Sequence, residues 1–177
     1  MAATLHHTTF ISLLASIYKP NTYVELGLYE GETMEKVQPY IKIGYGIDIT
    51  PRPSLEKLKM HSNLNILYTT TDEFFDFFND GIDMAFIDAD HCYESALKDF
   101  ENVYARLNDG GVIIMHDTDP ESNHLINPGY CGDSYKIVKI LEERSDINCT
   151  TIPLTEAGLT IITKKNDTRT IRREKFN

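Results

Sequence analysis

The side chains best suited to chemistry sit just behind short apolar runs. Ile82–Ile87 is followed by Asp88-Ala89-Asp90-His91, and Val112–Met115 by His116-Asp117. Two carboxylates at i and i+2 behind a buried strand are costly unless something uses them. If the two runs are neighbouring parallel strands, Asp88, His116 and Asp117 can converge on one divalent cation, with waters completing an octahedron. Carboxylates favour Mg²⁺ or Ca²⁺, whereas an imidazole leans toward Mn²⁺, Fe²⁺ or Zn²⁺. Asp90 and His91 are then candidate proton acceptors. A hydrogen-bonded network of helix caps and loop groups accounts for the same pattern, and a structural or exposed role for His91 and His124.

A second constellation follows the first strand-like run, Thr22–Leu26. It reads Glu25-Leu26-Gly27-Leu28-Tyr29-Glu30-Gly31-Glu32-Thr33. Gly27 permits a tight turn or a close backbone approach, and Gly31 opens a helix. The spacing is G-x-x-x-G, not the G-x-G-x-x-G that seats a pyrophosphate on a helix N-terminus. Glu25 and Glu30 place negative charge where it suits an ammonium or sulfonium better than a phosphate. Asp48, 21 residues after Gly27, can accept from vicinal ribose hydroxyls, or start the Thr50-Pro51 turn. Asp72 can read an adenine amino group or cap the following helix.

The elements that must position these residues alternate. Helices are predicted over 4–18, 31–39, 55–61, 72–78, 93–107 and 134–144. Strands are predicted over 22–26, 41–49, 64–69, 82–87, 112–115, 147–152 and 159–163. Asn108-Asp109-Gly110-Gly111 reads as the stop of the fifth helix. Alternation of this kind gives an α/β Rossmann-like sheet of seven strands, mostly parallel, with helices on both faces. The last two strands lack an intervening helix, so the final strand is expected antiparallel. Ligands in such sheets bind beyond the carboxyl ends of the strands. The polar stretch 118–133 is long for a structureless loop, which marks it as functional. One domain spans 1–163, with 1–20 as its N-terminal helix beside the cleft or in a homodimer interface, and 164–177 as a basic tail.

Composition excludes several classes. Hydrophobic residues make up 41% and charged residues 25%, ordinary globular usage. The net charge of −10 argues against a nucleic-acid partner. Three scattered cysteines without C-x-x-C spacing point to reduced thiols and a cytoplasmic setting. No run approaches the ~20 apolar residues of a membrane span, and the N-terminus lacks the marks of a signal peptide.

Together these residues resemble the class I S-adenosylmethionine-dependent methyltransferases, over about residues 20–165. Glu25-x-Gly27-x-x-x-Gly31-x-Thr33 is similar to that family's first motif, and Asp48 to its ribose-binding acid. Phe86-Ile87-Asp88-Ala89-Asp90-His91-x-Tyr93-Glu94, with Gly110-Gly111-Val112-Ile113-Ile114-x-His116-Asp117, resembles the metal-dependent small-molecule O-methyltransferases. The nearest likeness is to the branch acting on macrolide and aminocoumarin sugars, and catechol-type enzymes are more distant. The resemblance implies S-adenosylmethionine held by Glu25, Gly27, Tyr29, Gly31, Thr33, Asp48, Ile49, Asp72 and Asp88. It implies Mg²⁺ or another divalent cation on Asp88, His116 and Asp117, Asp90 as general base beside His91, and a small hydroxyl-bearing acceptor. His116 departs from the family's Asp-Asp, Glu-Asp or Asp-Asn pair. The chain also lacks the long N-terminal and lid segments of the antibiotic enzymes. Two other readings stand beside this one. One is a non-catalytic module that binds S-adenosylmethionine or a nucleoside. The other is a non-haem iron site on His116-x-x-Asp119 with His91 or His124, although that chemistry usually sits on an all-β barrel.

Overall fold

The computed structural model describes residues 6–154 and 157–165. The elements run α1 (His7–Tyr18), β1 (Thr22–Leu26), α2 (Glu32–Val37), β2 (Ile43–Asp48), α3 (Pro53–Glu56), β3 (Leu64–Tyr68), α4 (Thr71–Phe77) and β4 (Ile82–Ile87). They continue α5 (Tyr93–Arg106), β5 (Leu107–His116), α6 (Ile137–Glu143), β6 (Ile147–Ile152) and β7 (Leu159–Lys164). The sheet has the order β3-β2-β1-β4-β5-β7-β6. The first five strands pair in parallel, and β7 lies antiparallel between β5 and β6. The seven-stranded α/β sheet with an antiparallel final strand is therefore as expected.

Apolar clusters cover both faces. Phe74, Phe78, Phe100 and Ile113 belong to one, and Ile11, Met34, Leu58 and Phe86 to the other. The central strand β4 is buried from Met84 to Ile87, as a parallel strand covered on both sides must be. Its register sets Ile87 beside Met115 and Leu26. The residues that follow these three, Asp88, His116 and Gly27, therefore emerge together at one edge of the sheet.

Several boundaries differ from expectation. The second helix gives way after Val37 to a 3₁₀ turn carrying Pro39, and α3 is a four-residue helix followed by another 3₁₀ turn. Asn108-Asp109-Gly110-Gly111 does not cap α5, because the chain passes from Arg106 directly into β5. Leu107 pairs with Ile82, the chain loops out opposite Asp83, and pairing resumes at Met84 with Val112. The Asn108 amide donates to the Asp83 carboxylate at 2.8 Å and holds that excursion. Asp72 does not cap α4 either: Thr70 does, in a reciprocal capping box with Glu73. Helix α1 packs on α2 and brings His6 and His7 to the cleft, leaving Leu13 and Ile17 exposed. None of the described helices is long and apolar enough to cross a membrane. The basic stretch from Asn166 onward lies outside the described residues.

Candidate active site

Two corners build the site. The first is made from backbone. Gly27 has φ +83°, and a Cβ there would lie 2.0 Å from the Asp88 carbonyl oxygen. No other residue type lets the β1 and β4 loops approach this closely. The Gly27 N–H donates to the Ile47 carbonyl at 2.9 Å, and the Gly31 N–H to that of Leu28 at 2.7 Å. The Asp48 carboxylate closes the corner by accepting from the N–H groups of Leu28 (3.1 Å), Tyr29 (2.9 Å) and Thr50 (2.7 Å). Arg52 adds a contact to Asp48 at 3.2 Å and lies over the exposed Tyr29 ring.

Beneath this loop Glu25 is 1% exposed and accepts from the Tyr23 hydroxyl at 2.7 Å. Burial pushes its carboxyl up to about 8, against that hydrogen bond, and negative Asp88 pushes the same way. Thr33 is buried at the start of α2.

The second corner is made from side chains. His116 Nδ1 lies 3.3 Å from Asp88 and 3.2 Å from Asp117, and His91 Nε2 lies 3.1 Å from Asp117 and 3.6 Å from Asp88. Burial opposes ionisation of Asp88, but the hydrogen bonds from His116 and His91 outweigh it and hold the carboxyl well below its usual range. The nearby Asp88 carboxylate lifts His91 to about 9, helped by Asp117 and opposed by burial. Burial would lower His116, yet the two carboxylates raise it. In the protein alone, then, two imidazoles face the Asp88 and Asp117 carboxylates. Donor atoms of Asp88, His116 and Asp117 all lie within 4.8 Å of one another, so the set also suits one cation. A carboxylate pair with an imidazole favours Mn²⁺, Fe²⁺ or Zn²⁺ over Mg²⁺.

The stretch 118–133 fastens this corner. The Tyr130 carbonyl meets His91 Nδ1, the Asp133 N–H donates to the His91 carbonyl at 3.0 Å, and the Tyr93 N–H donates to Asp133 at 2.7 Å. Ser134 donates to the carbonyls of Asp117 and Cys131. Buried beside Asp117, the Cys131 thiol is pushed up to about 12 by burial and by that carboxylate.

Both corners open into one cleft of about 1330 Å³, lined by Glu25, Gly27, Asp48, Asp88, His116 and Asp117 among others. A second cavity of about 340 Å³ adjoins it past Gly27, between Ile49, Thr70, Asp90 and Asp99.

Comparison with known proteins gives the family and the fold. A family model described as a methyltransferase domain (Methyltransf_24) matches residues 24–118, more than half of the chain. The chain belongs to this methyltransferase-domain family. The uncharacterized protein R132 of Acanthamoeba polyphaga mimivirus is 31% identical over 129 residues, 63% of this chain. The chain spans 58% of that relative's length. The S-adenosylhomocysteine-bound methyltransferase PaMTH1 of Podospora anserina superposes with a TM-score of 0.74 at 17% identity, over 90% of this chain and 78% of its own. The Bacillus cereus O-methyltransferase in complex with S-adenosylhomocysteine gives 0.72 at 15%, over 93% and 84%. These likenesses establish the fold.

In this methyltransferase-domain chain the cleft gathers Glu25, Gly27, Tyr29, Thr33, Asp48, Ile49, Asp88, His91, His116 and Asp117, ten of the residues expected from sequence. Gly31 stands behind them as the left-handed N-cap of α2. Two of the expected residues fall outside this cleft. Asp72 lies on the surface of α4, paired with Lys98 at 2.6 Å, and lines neither cavity. Asp90 accepts from the Ser95 hydroxyl at 2.8 Å and lines the smaller cavity. Three contributors escaped the sequence. The His7 ring lies tilted 4.3 Å from the His116 ring, and His6 lies next to it. Burial and the neighbouring His116 and His6 lower His7 to about 4. Asp99, 3% exposed in mid-helix, lines the smaller cavity. The His6-His7 pair was the visible signal for α1, and nothing local marked Asp99.

Proposed function

We propose that the protein transfers a methyl group from S-adenosylmethionine to a hydroxyl of a small molecule. One observation carries this: the buried Glu25 and the Asp48-braced glycine loop share a cleft with the Asp88–His116–Asp117 cluster. The methionine end of the cofactor lies against Glu25 and Thr33, and the ribose hydroxyls reach Asp48. The S-adenosylhomocysteine bound in PaMTH1 and in the Bacillus cereus enzyme supports the same cofactor. The acceptor enters over His116, under Leu125 and Tyr130. The sulfonium makes its methyl group electrophilic, so the protein must align donor and acceptor in line, which can supply several kcal/mol.

A proton must leave the acceptor hydroxyl. His91 can take it at Nε2 only after that atom has given up its own proton, as a cation displacing the imidazole would require, because Nδ1 is engaged by the Tyr130 carbonyl. Asp88, His116 and Asp117 would hold a divalent ion, which when bound polarises the acceptor oxygen and lowers its pKa. The cytoplasm, as a reducing compartment, suits the free Cys92, Cys131 and Cys149.

The test joins two measurements. Calorimetric titration with S-adenosylhomocysteine is expected to give saturable binding. Labelled methyl transfer into a panel of sugars, catechols and simple alcohols, with Mn²⁺ or with a chelator, is expected to find an acceptor. Binding without turnover of any hydroxyl under either condition would leave a non-catalytic module. Absence of binding would remove the cofactor itself.

A further inference from the structure

Tyr23 carries a hydroxyl where the core around it is apolar. It has no exposed surface and belongs to the cluster that holds Ile11 and Ala15 of α1 and Met34 of α2. A buried phenol needs a partner for its O–H, and this one donates to Glu25 Oε2 at 2.7 Å. The two residues stand two apart on β1, so their side chains leave the same face of the strand. A second donor comes from α2. That helix opens at Gly31, which offers no side-chain cap to its first N–H groups, and the Met34 N–H turns to Glu25. Both donors are neutral. Among the described residues the charge acting on Glu25 is that of Asp88, itself negative. A buried acid held this way lacks a cation. A carboxylate has about four lone-pair positions, so capacity remains on the side of the cleft that Glu25 lines.

We propose that Tyr23 is a positioning residue for the amino end of the cofactor: its hydroxyl engages one Glu25 oxygen and so turns the other toward the cleft, where the ammonium of the methionine part meets it. The proposal rests on the S-adenosylmethionine reading above. It places part of the recognition of that ammonium in a side chain that touches no ligand and that α1 packs against. Loss of the hydroxyl is then felt by the amine of a ligand and not by its ribose or base, which are held elsewhere.

The experiment is calorimetric titration of the full chain, at one pH, with three ligands. S-adenosylhomocysteine carries amine and carboxylate, its decarboxylated analogue keeps the amine, and methylthioadenosine keeps neither. Tyr23→Phe retains the ring. It should weaken both amine ligands about tenfold, the scale of one hydrogen bond to a charged group, and change methylthioadenosine less than about twofold. Glu25→Gln should weaken the amine ligands as well, and adding Tyr23→Phe to it should cost less than about threefold more, because the two residues act as one unit. In the wild type itself, the exchange-protected Tyr23 hydroxyl proton should shift in the NMR spectrum with either amine ligand and stay in place with methylthioadenosine. Equal losses for all three ligands in a folded Tyr23→Phe protein overturn the proposal. So do wild-type affinities in that variant, penalties that add in the double variant, or a hydroxyl proton that the amine ligands leave unmoved. A wild type that binds no S-adenosylhomocysteine overturns the cofactor reading instead.

Discussion

The two corners of the cleft hold their carboxylates by opposite means. At Asp48 the charge is met by three backbone N–H groups and a guanidinium, none of which titrates near neutrality. At Asp88 and Asp117 it is met by two imidazoles, whose charge depends on pH and which a metal ion would have to displace. The Asp48 turn is thus preorganised by the backbone itself. The second exchanges one positive partner for another. Binding of the nucleoside should accordingly be nearly independent of metal, and dependence on metal should concentrate in the chemical step.

The most severe way to break the comparison is to separate the corners. They touch at Gly27, where an added methyl would fall 2.0 Å from one backbone atom and 2.5 Å from the next, in a left-handed conformation. Gly27→Ala should cost about 3 kcal/mol or more in urea unfolding and abolish S-adenosylhomocysteine binding. Near-wild-type stability would mean that the two loops do not meet.

Asp117→Asn attacks the second corner alone. It leaves two imidazoles facing one carboxylate and should cost about 2 kcal/mol at pH 7. His91 titrates near 9 in the folded protein against an ordinary 6.5. Its stabilising contribution is therefore full below 6.5 and lost as pH rises through 9. The difference between the variant and the wild type should shrink over that window, and any effect of divalent metal on turnover should vanish. A metal response that survives places the cation elsewhere. A histidine NMR titration showing His91 still near 9 would assign its shift to Asp88 alone.

How much of this was legible in advance follows the same division. The strand ends were readable because parallel strands buried on both faces are continuous apolar runs, so the first polar residue after each run marks the rim. That located Gly27, Asp48, Asp88 and His116, and the pairing of Ile87 with Met115 is the parallel register that joins them. Helix phase was less readable. Asp72 follows a strand as Asp48 does, yet the Thr70 cap rotates it outward toward Lys98. Asp99 sits in a charged stretch of α5, and its burial exists only once α4 packs against that helix. His7 reaches the cleft because α1 lies on α2, a contact between distant segments that no local pattern encodes. Asn108-Asp109-Gly110-Gly111 resembles a helix stop, but a β excursion around Asp83 uses the same residues.

Glu25 sharpens the contrast through pH. Its folded value of about 8 lies above the ordinary 4.5, so the stability it allows is full below 4.5 and declines as pH rises through 8. A cationic ligand beside it favours the ionised form, so binding expels the proton held by the free protein. S-adenosylmethionine should bind about tenfold more tightly at pH 8.5 than at pH 6, a difference of about 1.4 kcal/mol. Glu25→Gln should flatten that dependence and remove the decline in stability above pH 4.5. An equally steep profile in the variant would move the titrating group to the other corner.

The smallest effect expected is the most discriminating about placement. Asp72 and Asp99 are both acids near the end of β3, and only Asp99 lines a cavity. Asp72 is about half exposed, and its pair with Lys98 is a surface contact of the kind worth about 0–1 kcal/mol and weakened by salt. Asp72→Ala should therefore shift the unfolding free energy by less than about 0.5 kcal/mol, and 0.5 M salt should erase even that. Nucleoside affinity should be untouched. A tenfold loss of S-adenosylhomocysteine binding in Asp72→Ala would mean that α4 turns by part of a helical turn when the ligand enters. The base would then be read from the far side of the cavity, and the distinction between a backbone-fixed corner and a side-chain-balanced one would no longer extend to the adenine end.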